Sequence, residues 1–328
     1  MTAASSFDPG DFVPARALRA PDAQTIVGNL ARPTHRPQLG RERWDTPDGD
    51  FVDVDLLPAA AAAPHLLVLH GLEGSSKAGY VAAMLRGAHA RQWGAAALNF
   101  RSCSDAPNRL LRSYHSGETG DALQVIARWR GRFSGPLLAV GFSLGGNVLL
   151  RILEETGSAS PIDAAAAVSV PFDLARCARN IDSRSPALSL YRLRFLRTLK
   201  RKALAKSRRF PGRFDVDRIS RLRGIVDYDD AVTAPVHGFA SAAEYYARSS
   251  SGPAIGEIRR PTLLLSSRDD PMVPGETIPD RSRLAARTTL VATRHGGHVG
   301  FLAGSLWRPQ FWGDELVLRY FDRVVATG

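Results

Sequence analysis

The sequence predicts an α/β protein in which a mostly parallel, doubly wound sheet is interrupted once by an inserted helical cap. Short apolar runs alternate with segments of helical spacing along most of the chain, which is typical of such a sheet. Between residues 171 and 260 this alternation stops, because the segment is basic, has helical spacing and contains no clear core strand. We therefore expect residues 1–170 and 261–328 to form the two parts of the core and residues 171–260 to form the cap.

The elements of the predicted core follow one another in a regular order. A turn at residues 46–49 separates two short runs, which predicts an antiparallel hairpin at the start of the sheet. Buried strands are then expected at residues 65–69, 95–100, 136–140, 164–170, 261–266 and 288–292, and helices at residues 80–91, 120–130, 146–156 and 314–325. Residues 1–24 and 249–252 are expected to be loosely held.

Length and composition limit the class of protein. A chain of 328 residues with 44% hydrophobic content can bury one large core with an insertion. Cys103 and Cys177 are too few for a disulfide framework and lack metal-ligand spacing, so they are expected to be small buried hydrophobes in a reducing compartment. No apolar signal segment and no run of 18 apolar residues is evident, which predicts a cytoplasmic protein.

A serine flanked by glycines lies at the centre of the predicted core. The pentapeptide Gly141-Phe142-Ser143-Leu144-Gly145 follows an apolar run and opens a helix, which is the strand, sharp turn and helix of a nucleophile elbow. Glycines let strand and helix approach closely, and the helix N-terminus favours an oxyanion nearby. The alternative is a glycine-rich connection with an exposed serine. The context favours Ser143 as a nucleophile.

Ser143 requires a general base, and that base requires an acid to orient it. Two predicted strands end in loops that carry these residue types, in the chain order serine, acid, histidine. We prefer His298 to His295, because it lies deeper in its loop. We prefer Asp270 to Asp269, because it stands three residues before an apolar position that can pack beneath the site. The backbone N–H groups of Leu72 and Leu144 are the expected oxyanion hole, and no metal or cofactor is required.

The net charge of +11 is concentrated in residues 192–223, which hold thirteen Lys and Arg against two Asp. From just before this segment, Leu190, Leu193, Leu196 and Leu199 recur at every third position with Ala203 on the same side, which suggests an amphipathic helix able to contact an anionic membrane or to cover an apolar pocket. An ordinary cap helix with solvated arginines is the alternative. Because the charge is local and few aromatic residues are interleaved with it, no nucleic-acid partner is expected.

Several further motifs carry a family resemblance. They are Leu18-Arg19 with Gln24-Thr25-Ile26, His70 to Ser76, Asn99 to Ser104, Tyr114 to Gly117 with Asp121, and Tyr228 to Phe239 with Tyr245-Tyr246. With the triad residues, they make the chain similar over nearly its whole length to the α/β-hydrolase superfamily, and more narrowly to the YheT-like family of bacterial hydrolases and their eukaryotic abhydrolase-domain relatives. Ser102 departs from the glycine that relatives often have, which leaves the conformation of that loop open. The resemblance implies Ser143, Asp270 and His298 as the triad.

These observations predict a serine hydrolase that cleaves carboxylic esters, of short to medium chain or of acylglycerol type, through an acyl-enzyme intermediate. The expected substrate is a small-molecule ester or a lipid, with peripheral contact to an anionic membrane through residues 192–223. An acyltransferase that uses the same triad with an alcohol or thiol acceptor is the alternative. A basic binding module on a hydrolase fold is a third hypothesis, and the filled triad positions count against it.

Overall fold

The computed structural model describes residues 7–183, 185–305 and 307–327, and it contains a central eight-stranded sheet. The strands are β1 (Gly40–Asp45), β2 (Phe51–Leu57), β3 (His65–Leu69), β4 (Gly94–Asn99), β5 (Leu137–Phe142), β6 (Ala164–Val168), β7 (Thr262–Ser267) and β8 (Thr288–Thr293). Their order across the sheet is β1-β2-β4-β3-β5-β6-β7-β8. β1 and β2 form the predicted antiparallel hairpin, β2 pairs antiparallel with β4, and all other neighbours are parallel. Two further strands, β9 (Leu302–Gly304) and β10 (Pro309–Phe311), pair with each other as a short antiparallel sheet.

Helices cover both faces of the sheet, so the predicted doubly wound fold class is confirmed. They are α1 (Pro21–Leu30), α2 (Gly79–Ala90), α3 (Gly120–Arg130), α4 (Leu144–Thr156), α5 (Leu174–Ile181), α6 (Pro186–Arg209), α7 (Val216–Arg221), α8 (Ile225–Tyr228), α9 (Ala234–Val236), α10 (Ala242–Ser249) and α11 (Trp312–Thr327). Alternate residues of β3 point to opposite faces: Leu67 and Leu69 pack with α3 and α4, whereas Leu66 and Val68 pack with α2 and α11. Each strand of the centre is therefore buried on both sides.

Between β6 and β7 the described residues form helices and no strand. These helices, α5 to α10, are called the helical segment below. They share an apolar cluster of their own, to which Leu196, Tyr228 and Tyr245 belong. The helical segment therefore has its own small core, separate from the two faces of the sheet.

The leucines of α6 do not share one face, so the predicted single apolar stripe is wrong in part. Leu196 and Ala203 are buried, whereas Leu190 and Leu193 are 64% and 63% exposed. A step of three residues turns a helix by about 300°, so each successive leucine falls about 60° behind the previous one. The apolar positions consequently wind around the helix, and two of them reach solvent.

Parts of the two segments expected to be loosely held are buried and hydrogen-bonded. Residues 249–251 are buried, and Asn147 of α4 donates to the Ser249 carbonyl at 2.8 Å while accepting from the Ser251 N–H at 3.1 Å. In the N-terminal segment, Gln24 is fully buried. Residues 1–6 lie outside the described part. The expectation is wrong for Gln24 and for residues 249–251, because their polar groups satisfy buried backbone groups of neighbouring segments.

Candidate active site

Ser143 stands at the end of β5 and directly before α4, with φ 52° and ψ −119°. This left-handed conformation is strained for a serine and is maintained by its surroundings. A Cβ on Gly141 would lie 2.3 Å from the Gly145 carbonyl oxygen, and one on Gly145 would lie 2.4 Å from that of Leu69. The two flanking positions therefore admit glycine alone, which is the reason inferred from the sequence for the glycines on either side of Ser143.

The structure brings Ser143, His298 and Asp270 into one hydrogen-bonded chain. His298 Nε2 lies 2.9 Å from Ser143 Oγ, and His298 Nδ1 lies 2.7 Å from Asp270 Oδ2. The other carboxylate oxygen of Asp270 accepts from the N–H groups of Met272 and Val273 at 2.8 and 3.0 Å, which fixes the carboxylate. With Nδ1–H donating to the carboxylate, Nε2 is free to accept the serine proton.

His295 and Asp269, the alternatives for the base and the acid, form a separate pair beside these three hydrogen-bonded residues. His295 Nδ1 lies 3.1 Å from Asp269 Oδ2, and Asp269 also accepts from the Gly297 N–H at 3.0 Å and from the Ser267 hydroxyl. The His295 side chain is 35% exposed, against 11% for His298. Asp269 thus caps the loop that carries both histidines.

The N-terminal helix α1 supports the His298 loop, a contact that the sequence did not predict. Thr25 Oγ1 accepts from the His298 N–H at 2.9 Å, and Gln24 Oε1 accepts from the Leu302 N–H at 2.7 Å. Ser169, at the end of β6, accepts from the Val299 N–H at 3.0 Å. The signal in the sequence is the polar pair Gln24-Thr25 in the first turns of α1, since buried polar side chains need partners.

Residues 70–76, the loop predicted to carry one donor of an oxyanion hole, follow β3 and are called the oxyanion loop below. Its Gly71 N–H donates to the Tyr80 hydroxyl at 3.0 Å, and its Glu73 N–H donates to the Tyr114 hydroxyl at 2.8 Å. Among the described residues, the Leu72 N–H has no hydrogen-bond acceptor. The Leu144 N–H belongs to the first turn of α4, where helical N–H groups have no partner within the helix. Both of the predicted donors are therefore available to a ligand.

His70 braces the oxyanion loop. Burial lowers its pKa to about 4, so the ring is neutral at pH 7. Its Nδ1–H donates to the Gly71 carbonyl at 2.8 Å, and its Nε2 accepts from the Phe100 N–H at 3.2 Å. The ring therefore holds the loop through two backbone contacts.

The loop after β4 adopts the conformation that a glycine would favour, although it carries a serine. Ser102 has φ 61°, and its hydroxyl lies 2.5 Å from Asn108 Oδ1 while accepting from the Asn108 N–H at 3.1 Å. Asn108 thus stabilises the left-handed backbone at this position. The neighbouring Cys103 is buried, and burial raises its pKa to about 11, so it is a neutral thiol.

A cleft of about 1210 Å³, including open solvent at its mouth, extends from Ser143 beneath the helical segment. Its wall is mainly apolar and comes from both parts of the fold, with Leu72 and Met272 from the core and Phe195 and Leu199 from α6. Because the nucleophile candidate lies at the wall of an apolar cleft, a ligand with a hydrocarbon chain fits it best.

Charged side chains also reach the cleft. Lys202 Nζ lies 2.7 Å from Glu73 Oε1, and Lys206 donates to the carbonyls of residues 110–112 at 2.7 to 3.0 Å. Burial lowers the pKa of Lys206 to about 7. Burial also raises the pKa of Asp229 to about 6, and its carboxylate lies 2.7 Å from the Tyr246 hydroxyl. The sequence placed Lys202 and Lys206 in a basic surface, but both are turned into the protein.

One cluster of the described residues has the types that bind metals. His115, Glu118 and His237 each place a ligand atom within 4.8 Å of the others. However, the Arg112 guanidinium contacts the Glu118 carboxylate, and the Gly117 N–H donates to His115 Nδ1 at 3.1 Å. The second bond favours the tautomer with its proton on Nε2, the atom that faces Glu118. The cluster therefore does not fit a metal ion, and the expectation that none is required stays a prediction.

Comparison with known proteins identifies the family. The family model described as alpha/beta hydrolase fold matches residues 64–305. The chain is 38% identical over 314 residues to "Putative esterase YheT" of Escherichia coli K12, and the alignment covers 94% of this chain and 92% of that protein.

More distant relatives and solved structures show the same fold. Identity is 32% to a monoacylglycerol lipase of Saccharomyces cerevisiae, covering 94% of this chain and 68% of that protein, and 29% to human phospholipase ABHD3, covering 91% and 76%. The Pyrococcus furiosus esterase Pf2001 superposes with a TM-score of 0.55 at 14% identity, covering 87% of this chain and 92% of that chain. The chain belongs to the α/β-hydrolase fold family and, within it, to the YheT-like group.

Proposed function

We propose that this protein is a serine hydrolase that cleaves carboxylic esters through an acyl-enzyme intermediate. The observation that carries the proposal is the hydrogen-bonded chain from Ser143 through His298 to Asp270 at the wall of an apolar cleft. The printed names of the relatives, an esterase, a monoacylglycerol lipase and a phospholipase, support ester hydrolysis as the reaction class.

In the first half-reaction, Ser143 Oγ attacks the ester carbonyl carbon while its proton passes to His298 Nε2. The tetrahedral oxyanion accepts hydrogen bonds from the Leu72 and Leu144 N–H groups, which are worth more in a water-poor site than in bulk water. When the carbon–oxygen bond to the alcohol breaks, His298 returns its proton to the leaving alkoxide. Water then takes the place of Ser143 as the nucleophile: it gives a proton to His298 and attacks the acyl-enzyme, which releases the acid and restores the serine.

The cleft supports a hydrocarbon acyl chain, and the helical segment acts as the cap that covers it. An ester or lipid of medium chain length would bury its apolar surface against α6 and Leu72 at about 0.8 kcal/mol per methylene group. We expect kcat/KM for p-nitrophenyl esters to rise with chain length until the cleft is filled. Product analysis with added acceptor alcohol separates hydrolysis from acyl transfer, because a transferase would form a new ester at the expense of free acid.

Replacing Asp270 by asparagine is expected to lower ester kcat by roughly a thousandfold or more, since an amide in this position favours the wrong tautomer of His298. Asp269→Asn is the matched control, because it removes the neighbouring carboxylate, which contacts His295 instead of His298. We expect Asp269→Asn to change kcat by less than about tenfold. Steady-state rates on a soluble short-chain ester measure both, and equal losses or the reverse order would contradict the assignment of Asp270.

We also propose that α6 lets the protein contact an anionic membrane surface. The exposed Leu190 and Leu193 lie on the same helix as Arg194, Arg197 and Arg201, whose side chains have no hydrogen bond or ion pair to any described residue. Exposed leucines among unpaired arginines are typical of helices that lie at a lipid interface. No helix in the described part of the chain has the length and apolarity to cross a bilayer, so this contact would be peripheral.

Wild-type protein is expected to sediment with phosphatidylglycerol vesicles at low salt and to remain in the supernatant at high salt. Each arginine near the lipid contributes about 1 kcal/mol, and salt screens this attraction over a Debye length of about 8 Å at physiological ionic strength. The variant Arg197→Glu/Arg201→Glu should partition at least about tenfold more weakly.

The variant Arg259→Glu/Arg287→Glu is the matched control for vesicle binding, because it makes the same change of charge at exposed arginines outside the helical segment. It should bind vesicles nearly as the wild type does. Wild-type protein that ignores anionic vesicles at low salt, or equal losses in the two double variants, would show that α6 is an ordinary solvated helix.

A further inference from the structure

One ion pair joins the helical segment to the oxyanion loop. Lys202, on α6, places Nζ 2.7 Å from Glu73 Oε1, and the two side chains are only 26% and 7% exposed. Lys202 Nζ also lies 3.5 Å from Cys103 Sγ, which is neutral at pH 7. Among the described residues, Glu73 is therefore the one charged partner of Lys202.

Glu73 follows Leu72 directly, and its own backbone is strained. It has φ 54°, a left-handed conformation that a residue with a long side chain rarely adopts. The Tyr114 hydroxyl donates to Glu73 Oε1 at 2.9 Å and accepts from the Glu73 N–H at 2.8 Å. Lys202 and Tyr114 thus bind the same carboxylate oxygen, and Tyr114 connects that carboxylate to the backbone of the oxyanion loop. A strained backbone persists when such contacts hold it.

The Leu72 N–H lies between two anchored positions of the oxyanion loop. The Gly71 N–H on one side is bound by Tyr80, and the Glu73 N–H on the other side is bound by Tyr114. The direction of the Leu72 N–H is set by ψ of Gly71 and φ of Leu72, so a shift of either anchored neighbour moves it. Of the hydrogen bonds and ion pairs that Glu73 makes with described residues, the one with Lys202 comes from the helical segment.

We propose that Lys202 is a positioning residue: by binding Glu73, it holds the oxyanion loop in the conformation that presents the Leu72 N–H to the oxyanion. The oxyanion hole is then complete only while α6 is seated on the core. This inference rests on the proposed function, because it assigns a role to Lys202 in the same reaction.

The test compares Lys202→Met with Lys200→Met. Both substitutions remove one ammonium group from α6, but Lys200 donates to the carbonyls of Ser220 and Leu222 within the helical segment and does not reach the oxyanion loop. For a soluble short-chain ester, Lys202→Met should lower kcat by roughly ten- to a hundredfold with KM within about twofold, since a displaced donor acts on the transition state. Lys200→Met should leave both parameters unchanged, and Lys202→Arg should recover most of kcat.

A trifluoromethyl ketone provides a second readout, because its hemiketal oxyanion occupies the same hole. Its inhibition constant should rise in Lys202→Met by about the factor by which kcat/KM falls. A Glu73→Gln/Lys202→Met double variant should lose no more activity than the more damaged single variant, because the two residues act as one unit. It also removes the carboxylate that Lys202→Met leaves buried without a cation beside it, so it covers the case in which that single variant folds poorly. Additive losses, or a kcat in folded Lys202→Met within twofold of wild type, would overturn the proposal.

Hydrogen exchange separates this inference from the proposed function. The amides of the oxyanion loop should exchange faster in Lys202→Met than in wild type or in Lys200→Met, whether or not the protein hydrolyses esters. Unchanged exchange would overturn the role of Lys202. Wild-type protein that neither hydrolyses esters nor reacts with a fluorophosphonate would instead overturn the proposed function.

Discussion

Ser143→Ala is expected to abolish ester hydrolysis, with a loss in kcat on the order of a thousandfold or more. The serine supplies the oxygen that forms the acyl-enzyme, and no alanine atom can replace it. Ser143 is also the residue within 2.9 Å of His298 Nε2, so its removal leaves the base with nothing to deprotonate except water. The measurement is the release of p-nitrophenol from a short-chain ester, together with covalent labelling by a fluorophosphonate.

Labelling distinguishes the loss of the nucleophile from the loss of the fold. The variant should keep the unfolding temperature of the wild type to within a few degrees, because alanine fits the elbow and the backbone contacts remain. Wild-type protein should carry one equivalent of label on the peptide that contains Ser143, and the variant should carry none. A variant that still reacts with the fluorophosphonate would exclude Ser143 as the nucleophile.

His298→Ala should lower kcat by a similar factor, whereas His295→Ala should cost less than about tenfold. The two histidines stand three positions apart in one loop and each faces an aspartate, so they form a closely matched pair. Of the two, His298 is the one that also reaches Ser143. When catalytic residues act as one unit, the enzyme loses nearly all activity if any of them is removed.

A combined variant tests whether His298 acts through Ser143. In the Ser143→Ala background, adding His298→Ala should cause almost no further loss of kcat, because the hydroxyl proton that His298 would accept is already absent. His295→Ala should retain fluorophosphonate labelling at nearly the wild-type rate. If His295→Ala is the more damaging single substitution, the base has been assigned to the wrong histidine.

The fold could be predicted to a large extent because its signals are local. Apolar runs, turn residues and the glycines around Ser143 indicated the order of strands and helices, and the structure confirms a doubly wound sheet in that order. The leucines of α6 were misjudged because a spacing of three residues was treated as one face, whereas the helix repeats every 3.6 residues.

The sequence by itself determined the elements of the sheet, the elbow at Ser143 and the acid and histidine loops that follow it. Only the tertiary structure decided that Asp269 forms a second pair with His295, and that Lys202 contacts Glu73. Ser143 and His298 are 155 positions apart in the chain, and Lys202 and Glu73 are 129 apart. Residue type and local spacing predict the element on which a side chain stands, but contacts across such separations depend on how those elements pack. A lysine within a basic run therefore has the same sequence signature whether it faces solvent or, like Lys202, a buried carboxylate.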